Sequence, residues 1–239
     1  MKNPHHATRK LGVLGGMGPL ASAHFMTRLT LLTPASRDQE HIPTILWSDP
    51  RIPDRTDAGA GRGGTVPDLL LDGVRGLVAA GCGAIAIPCN TAHGWYPEIV
   101  AAAGIPVLHI VTSAITALRQ VTAPGTTIGI MGTAGTLAMR LYQDRLDAEG
   151  FHPITPDAAE MARLVSPAIA LVNANRVAEA YAPLAEMVTM LAGRGATAVV
   201  LGCTEIPLGI AAGPFATLPV PLVDTIDALA LTAIDWAQS

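Results

Sequence analysis

Two strand-like apolar runs in this chain end in a cysteine, one in each half. The first is Gly83-Ala84-Ile85-Ala86-Ile87-Pro88-Cys89-Asn90-Thr91 and the second is Thr197-Ala198-Val199-Val200-Leu201-Gly202-Cys203-Thr204-Glu205. A glycine stands eight residues before each cysteine, Gly81 and Gly195, and a small polar residue suited to a helix N-cap follows each. The halves also match upstream. Leu11-Gly12-Val13-Leu14-Gly15-Gly16-Met17-Gly18 parallels Ile128-Gly129-Ile130-Met131-Gly132-Thr133-Ala134-Gly135, each a short apolar run, a Gly-rich turn and then a helical pattern. From Gly12 to Cys89 is 77 residues and from Gly129 to Cys203 is 74. The same two elements in the same order at nearly the same separation imply a duplicated α/β unit.

The rest of the pattern agrees. Strand signals fall near 10–14, 43–48, 84–88, 105–109, 127–131, 151–154, 197–201 and 219–223. Helical patterns fall near 19–33, 66–80, 97–103, 111–121, 134–149, 157–171, 175–193 and 225–237, with Pro19 and Pro97 suited to a first turn. Alternation of the two kinds predicts an α/β fold: two similar Rossmann-like lobes with mostly parallel sheets, related by a pseudo-two-fold duplication. The expected division is 1–110 plus 214–239 for the N-terminal lobe and 111–213 for the C-terminal lobe, the last strand and helix returning to the first. Residues 49–65 carry no core pattern and read as a long surface loop bearing Arg51 and Arg55, a candidate substrate lid or a plain connection.

Composition narrows the function. Half of the 239 residues are hydrophobic and 14% are charged, enough apolar material for a sizeable core. The net charge of −4 leaves no electrostatic footprint for nucleic acid or an anionic membrane. The start, Met1 to Lys10, is polar and does not read as a secretory signal, and no run of about 20 apolar residues spans a membrane. Three cysteines without a Cys-x-x-Cys spacing give no metal pattern and fit a reduced, cytoplasmic protein. The only lysines are Lys2 and Lys10, so the folded body offers none for a pyridoxal phosphate Schiff base. The expected cofactor is none.

A cysteine at the carboxyl end of a buried strand, ahead of a helix, is where an α/β protein exposes a reactive thiol. Cys89 and Cys203 are therefore candidate acid/base groups, whereas Cys82, between two glycines, reads as a small buried hydrophobe. Asn90, Thr91 and Thr204 beside the thiols, and Thr133 in the second Gly-rich turn, are candidates to hold a carboxylate or simply to cap helices. His93 either tunes Cys89 or faces solvent, and Glu205 either orients Cys203 or serves the helix dipole. Gly16, Gly18 and Ala21 fit the loose dinucleotide fingerprint, but the acidic residue expected about 20 positions on is misplaced: Asp38 and Glu40 come too early and Asp49 too late.

At these residues the chain resembles the aspartate/glutamate racemase family, and within it the aspartate racemase branch. The stretches are Leu11 to Pro19, Asp38 to His41, Ile52 to Thr56, Pro88 to His93, Met131 to Thr136, Gly202 to Glu205 and Val220 to Asp224. The resemblance implies two α/β lobes with the active site in the cleft between them, a homodimer, and racemisation of an amino acid or dicarboxylate without pyridoxal phosphate. It implies Cys89 and Cys203 as the two bases, and a substrate-binding set of Met17, Arg55, Asn90, Thr91, Ala92, Thr133 and Thr204, with Arg55 on a substrate carboxylate. The branch also carries a lysine within the segment that here reads Ile169 to Arg176. None stands there, and Arg163 and Arg176 are the nearby substitutes. Decarboxylation or cis–trans isomerisation of small carboxylates, and non-enzymatic binding of one, are the alternatives; two matched thiols favour racemisation.

Overall fold

Among the residues that the computed structural model describes, 9–61 and 63–239, eight strands form two separate four-stranded parallel sheets with the same strand order. The expectations placed on residues 1–8, the polar start and Lys2 among them, lie outside the described residues. The first sheet is built from β1 (Leu11–Gly15), α1 (Pro19–Leu32), β2 (Thr44–Ser48), α2 (Asp68–Ala79), β3 (Ala84–Ala86), α3 (Tyr96–Ala103) and β4 (Val107–Leu108), followed by α4 (Ile110–Leu118). Its order is β2-β1-β3-β4, with Leu11 registered on Thr44 and on Ala84, and Ile85 on Val107. β1 and β3 are buried at every residue, as their unbroken apolar runs require of inner parallel strands.

The second sheet repeats this plan. Its elements are β5 (Thr127–Gly132), α5 (Ala134–Ala138), α6 (Gln143–Ala148), β6 (His152–Ile154), α7 (Ala158–Glu160), a π-turn over Met161–Val165, α8 (Ser166–Asn173), α9 (Tyr181–Gly193), β7 (Ala196–Gly202), α10 (Ile206–Ala211), β8 (Leu222–Asp224) and α11 (Thr225–Gln238). The order is β6-β5-β7-β8. Met131, Leu184, Met187, Leu191, Val199 and Leu201 form the heart of its core. α7 opens on a capping box, Asp157 and Glu160 satisfying each other's backbone N–H groups.

Contacts divide the chain into one unit running to Ser113 and resuming over Ile226–Ser239, and a second over Ala114–Thr225. The strand expected with the first lobe belongs to the second sheet: Leu222, Val223 and Asp224 pair with Val199, Val200 and Leu201. Only α11 returns. Asp227 receives a two-pronged ion pair from Arg28 of α1, at 2.5 and 2.7 Å, and Thr232 donates to Ser113 at 2.8 Å.

All eight expected strands are present, and the helices differ in detail. The helix expected over 134–149 breaks into α5 and α6, with Arg140 at φ +55 between them. The break seats the fully buried Tyr142 ring against Gly202, where a Cβ would lie 3.0 Å from the ring. α10 falls where the sequence pattern marks no helix. The loop at 49–65 is not bare surface. Ile52 and Ala60 are buried, and Trp95 donates to the Gly64 carbonyl at 2.8 Å.

Candidate active site

Ser22 ties down the Gly-rich turn after β1. The Gly16 N–H donates to the Ser22 hydroxyl at 2.9 Å, and that hydroxyl donates to the Gly18 carbonyl at 2.7 Å. Gly16 has φ +92, and a Cβ there would lie 2.4 Å from the Asp49 carbonyl oxygen. The glycine is explained by this close approach of the chain leaving β2, rather than by a dinucleotide. The same approach brings the 49–65 loop to the turn, where Arg55 Nη2 reaches the Met17 carbonyl at 3.5 Å.

The two arginines of that loop differ. Arg51 is spent on Asp49, with Nε and Nη2 at 2.9 and 2.7 Å from the two carboxylate oxygens, and this fork pulls the Asp49 carboxyl down to about 2. Arg55 is half-buried and donates through Nη1 to the Pro53 carbonyl at 3.1 Å. Its Nε is buried without a hydrogen-bond partner, and no carboxylate pairs with it among the described residues. An anion at this turn would find a positioned cation already there.

Cys89 lies just past β3, where its N–H turns back to the Ile87 carbonyl at 2.8 Å. Asn90, Thr91 and Ala92 follow it, all buried. A helix N-cap was expected here. The chain instead forms one 3₁₀ turn over Thr91–Trp95, Asn90 makes no side-chain cap, and α3 starts only at Tyr96. Pro97 sets that start, because proline fits a first turn and not a helix interior. The helix dipole is thereby moved away from the Cys89 thiol.

His93 is buried, not solvent-facing, and it grips the cysteine's backbone. Nε2 accepts from the Ile110 N–H at 3.2 Å, so the neutral ring carries its proton on Nδ1, which donates to the Cys89 carbonyl at 2.9 Å. Burial pushes His93 down to about 4, against the pull of the Cys89 and Leu108 carbonyls. Tyr96 stacks on its ring at 5.8 Å and His109 tilts against it at 4.9 Å. The imidazole thus fixes the strand end rather than trading protons with the thiol.

In the second unit the Gly-rich turn ends in Thr133, the N-cap of α5. Its hydroxyl oxygen accepts from the Thr136 N–H at 3.0 Å. Cys203 lies just past β7, buried, with Sγ 3.0 Å from Glu205 Oε2; the Thr204 hydroxyl donates to the same oxygen at 3.3 Å. Thr204 and Glu205 are buried as well, and Glu205, not Thr204, occupies the N-cap of α10. Tyr142 is pushed well above the usual phenol range by burial and, secondarily, by the charge of Cys203. Tyr142 escaped the sequence reading; the signal was an aromatic at the expected helix in a chain with only 4% aromatics. No disulfide links Cys82, Cys89 and Cys203. Cys82 is packed, its sulfur 3.2 Å from where a Gly12 Cβ would stand, and burial raises its thiol against the pull of Lys10.

The sheet after sheet repetition, each delivering a cysteine past its third strand and a Gly-rich turn past its first, defines a duplicated α/β protein with a thiol-based candidate site. The chain belongs to the Asp/Glu/hydantoin racemase family, whose sequence profile matches residues 14–233. It is 31% identical to the broad specificity amino-acid racemase RacX of Bacillus subtilis over 62% of this chain; the match spans 64% of that relative's length. The Picrophilus torridus aspartate racemase superposes with a TM-score of 0.82 at 27% identity, covering 96% of this chain and 94% of that one. Glutamate racemase from Francisella tularensis, solved with D-glutamate, shares the fold at a TM-score of 0.65 and 19% identity, covering 96% of this chain and 81% of its own. Among the described residues no helix is long and apolar enough to cross a membrane.

Proposed function

We propose that this chain is an amino-acid racemase that needs no cofactor and uses Cys89 and Cys203 as paired acid/base groups. The observation that carries the reading is that the two thiols hold the same address in two sheets of the same order, just past the carboxyl ends of β3 and β7. One sulfur, as thiolate, takes the α-proton and forms S–H; the electron pair left on Cα delocalises into the substrate carboxylate. The other sulfur gives its proton to the opposite face of Cα. Neutral backbone dipoles and the Asn90, Thr91, Ala92, Thr133 and Thr204 segments stabilise the carboxylate as its charge grows. Lys10 is no Schiff-base candidate: it precedes β1, at the amino end of the sheet, and donates to the Ala80 carbonyl at 2.8 Å.

Aspartate is the first substrate of this reading, with Arg55 on a carboxylate. A second, broader range is favoured by the state of the two arginines that stand nearest the missing lysine. Arg176 is forked onto Glu179 at 2.6 and 2.5 Å, and Arg163 is paired with Glu186 at 2.8 Å. Neither charge is left over for a second substrate carboxylate, and the RacX relative carries a broad-specificity name. The proposal includes a homodimer and a cytoplasmic location, which sedimentation and cell fractionation test directly.

The decisive experiment is solvent deuterium incorporation at Cα across L- and D-amino acids, with the wild type and with Cys89→Ser and Cys203→Ser. Each variant is expected to lose racemisation by several orders of magnitude and to keep exchange with one enantiomer only, the opposite one in each case. Substantial racemisation by either variant defeats the two-thiol reading. Decarboxylation without exchange would return the chain to the alternative chemistry on this fold.

A further inference from the structure

Glu205 stands at the N-cap of α10, yet its carboxylate makes no capping bond to that helix. A carboxylate at a helix start normally turns toward the free N–H groups there. This one turns to sulfur: Oε2 is 3.0 Å from Cys203 Sγ, and Thr204 bonds the same oxygen. Thiol and carboxylate are 4% and 7% exposed, so water does little to screen them from each other. Tyr142 packs behind Gly202 as a neutral phenol, and Asp224 of β8 is registered on Leu201, two residues before the thiol. Cys203 also belongs to the apolar core cluster of the second unit, with Met131 and Ile206.

We propose that Glu205 is a positioning residue that holds the proton on Cys203, so that this sulfur rests as the acid of the pair. The inference rests on the reading of Cys203 as a proton carrier. Removing the proton would leave a thiolate beside a carboxylate at hydrogen-bond distance, and like charges so close oppose ionisation. When Cys203 acts as acid, S–H breaks, the proton goes to Cα and the carboxylate keeps its charge. When Cys203 acts as base, its sulfur must first lose its proton to solvent, which the neighbouring carboxylate delays to higher pH.

The enantiomers have an equilibrium constant of one, so kcat/KM is equal in both directions at every pH and cannot report this asymmetry. The thiol itself can. Alkylation of Cys203 by iodoacetamide, located by peptide mass, is followed against pH in the wild type and in Glu205→Gln, which keeps the shape and removes the charge. The midpoint of Cys203 reactivity is expected to fall by at least one pH unit in the variant, so alkylation on the rising limb is about tenfold faster or more. In the Cys89→Ser background, where exchange depends on Cys203 as base, the acid limb of the exchange profile is expected to move down with it. An unchanged or raised midpoint in folded Glu205→Gln overturns the proposal. Infrared spectroscopy of the wild type needs no Glu205 variant: a red-shifted S–H band at neutral pH that disappears in Cys203→Ser supports it, and the absence of such a band overturns it. Alkylation and infrared read the thiol whether or not the chain racemises anything, so failure of the racemase reading, seen as no exchange by any form, is distinguished from failure of this one.

Discussion

His93 makes the folded protein sensitive to acid in a way that can be worked out in advance. Its ring is buried, and its Nε2 is already committed as an acceptor from the Ile110 N–H. Protonation must break that bond and charge a desolvated ring, which is why its folded value is about 4 against an ordinary 6.5. The unfolded chain takes up this proton near pH 6.5, the folded one only near pH 4. Between those values the unfolded state holds more protons, so stability falls as pH falls, and above about 6.5 the group contributes no pH dependence. A depression of this size corresponds to about 3 kcal/mol lost across that window, at a slope approaching about 1.4 kcal/mol per pH unit. Urea unfolding of wild type and His93→Gln at a series of pH values measures it, because all other titrating groups cancel in the difference. The advantage of wild type over variant should shrink by about 3 kcal/mol from pH 7 to pH 4. A difference that stays constant with pH would refute the buried neutral imidazole, as would nitrogen NMR placing the proton on Nε2.

Arg55→Ala should raise KM for aspartate by about tenfold or more through loss of a charge-assisted contact, and change a neutral amino acid little; equal effects on both, by initial-rate kinetics, would remove Arg55 from substrate recognition. Gly16→Ala should destabilise the first unit by several kcal/mol, roughly the sum of positive-φ strain and overlap with the Asp49 backbone, or prevent soluble expression; a near-wild-type melting temperature would contradict the close approach. Asp227→Asn should cost about 1 kcal/mol, since the Arg28 fork is partly exposed, and that cost should diminish in high salt.

The duplication, the α/β class and all eight strands were legible from residue pattern, the inner strands β1, β3, β5 and β7 most plainly, because burial in a parallel sheet leaves an apolar run that glycines punctuate. The addresses of Cys89 and Cys203 followed from the same pattern, since a strand's end is set by local sequence. What surrounds each thiol did not follow. His93 is four residues from Cys89 in either reading; only the arrival of the Ile110 N–H decides that its ring is neutral and grips a carbonyl. Glu205 is two residues from Cys203 whether it caps α10 or faces the sulfur, and its side-chain direction decides between them. Arg51 and Arg55 are alike in sequence, and differ because Asp49 folds back onto one and not the other. Residues 219–223 read as a strand expected with the first lobe, yet Leu222, Val223 and Asp224 pair with β7, because so short a strand can extend any exposed parallel edge and only packing chooses which. Local propensity and burial period are properties of consecutive residues and are written along the chain. Charge pairing, proton location and strand partnership depend on groups distant in sequence, and are settled only when the fold brings them within bonding distance.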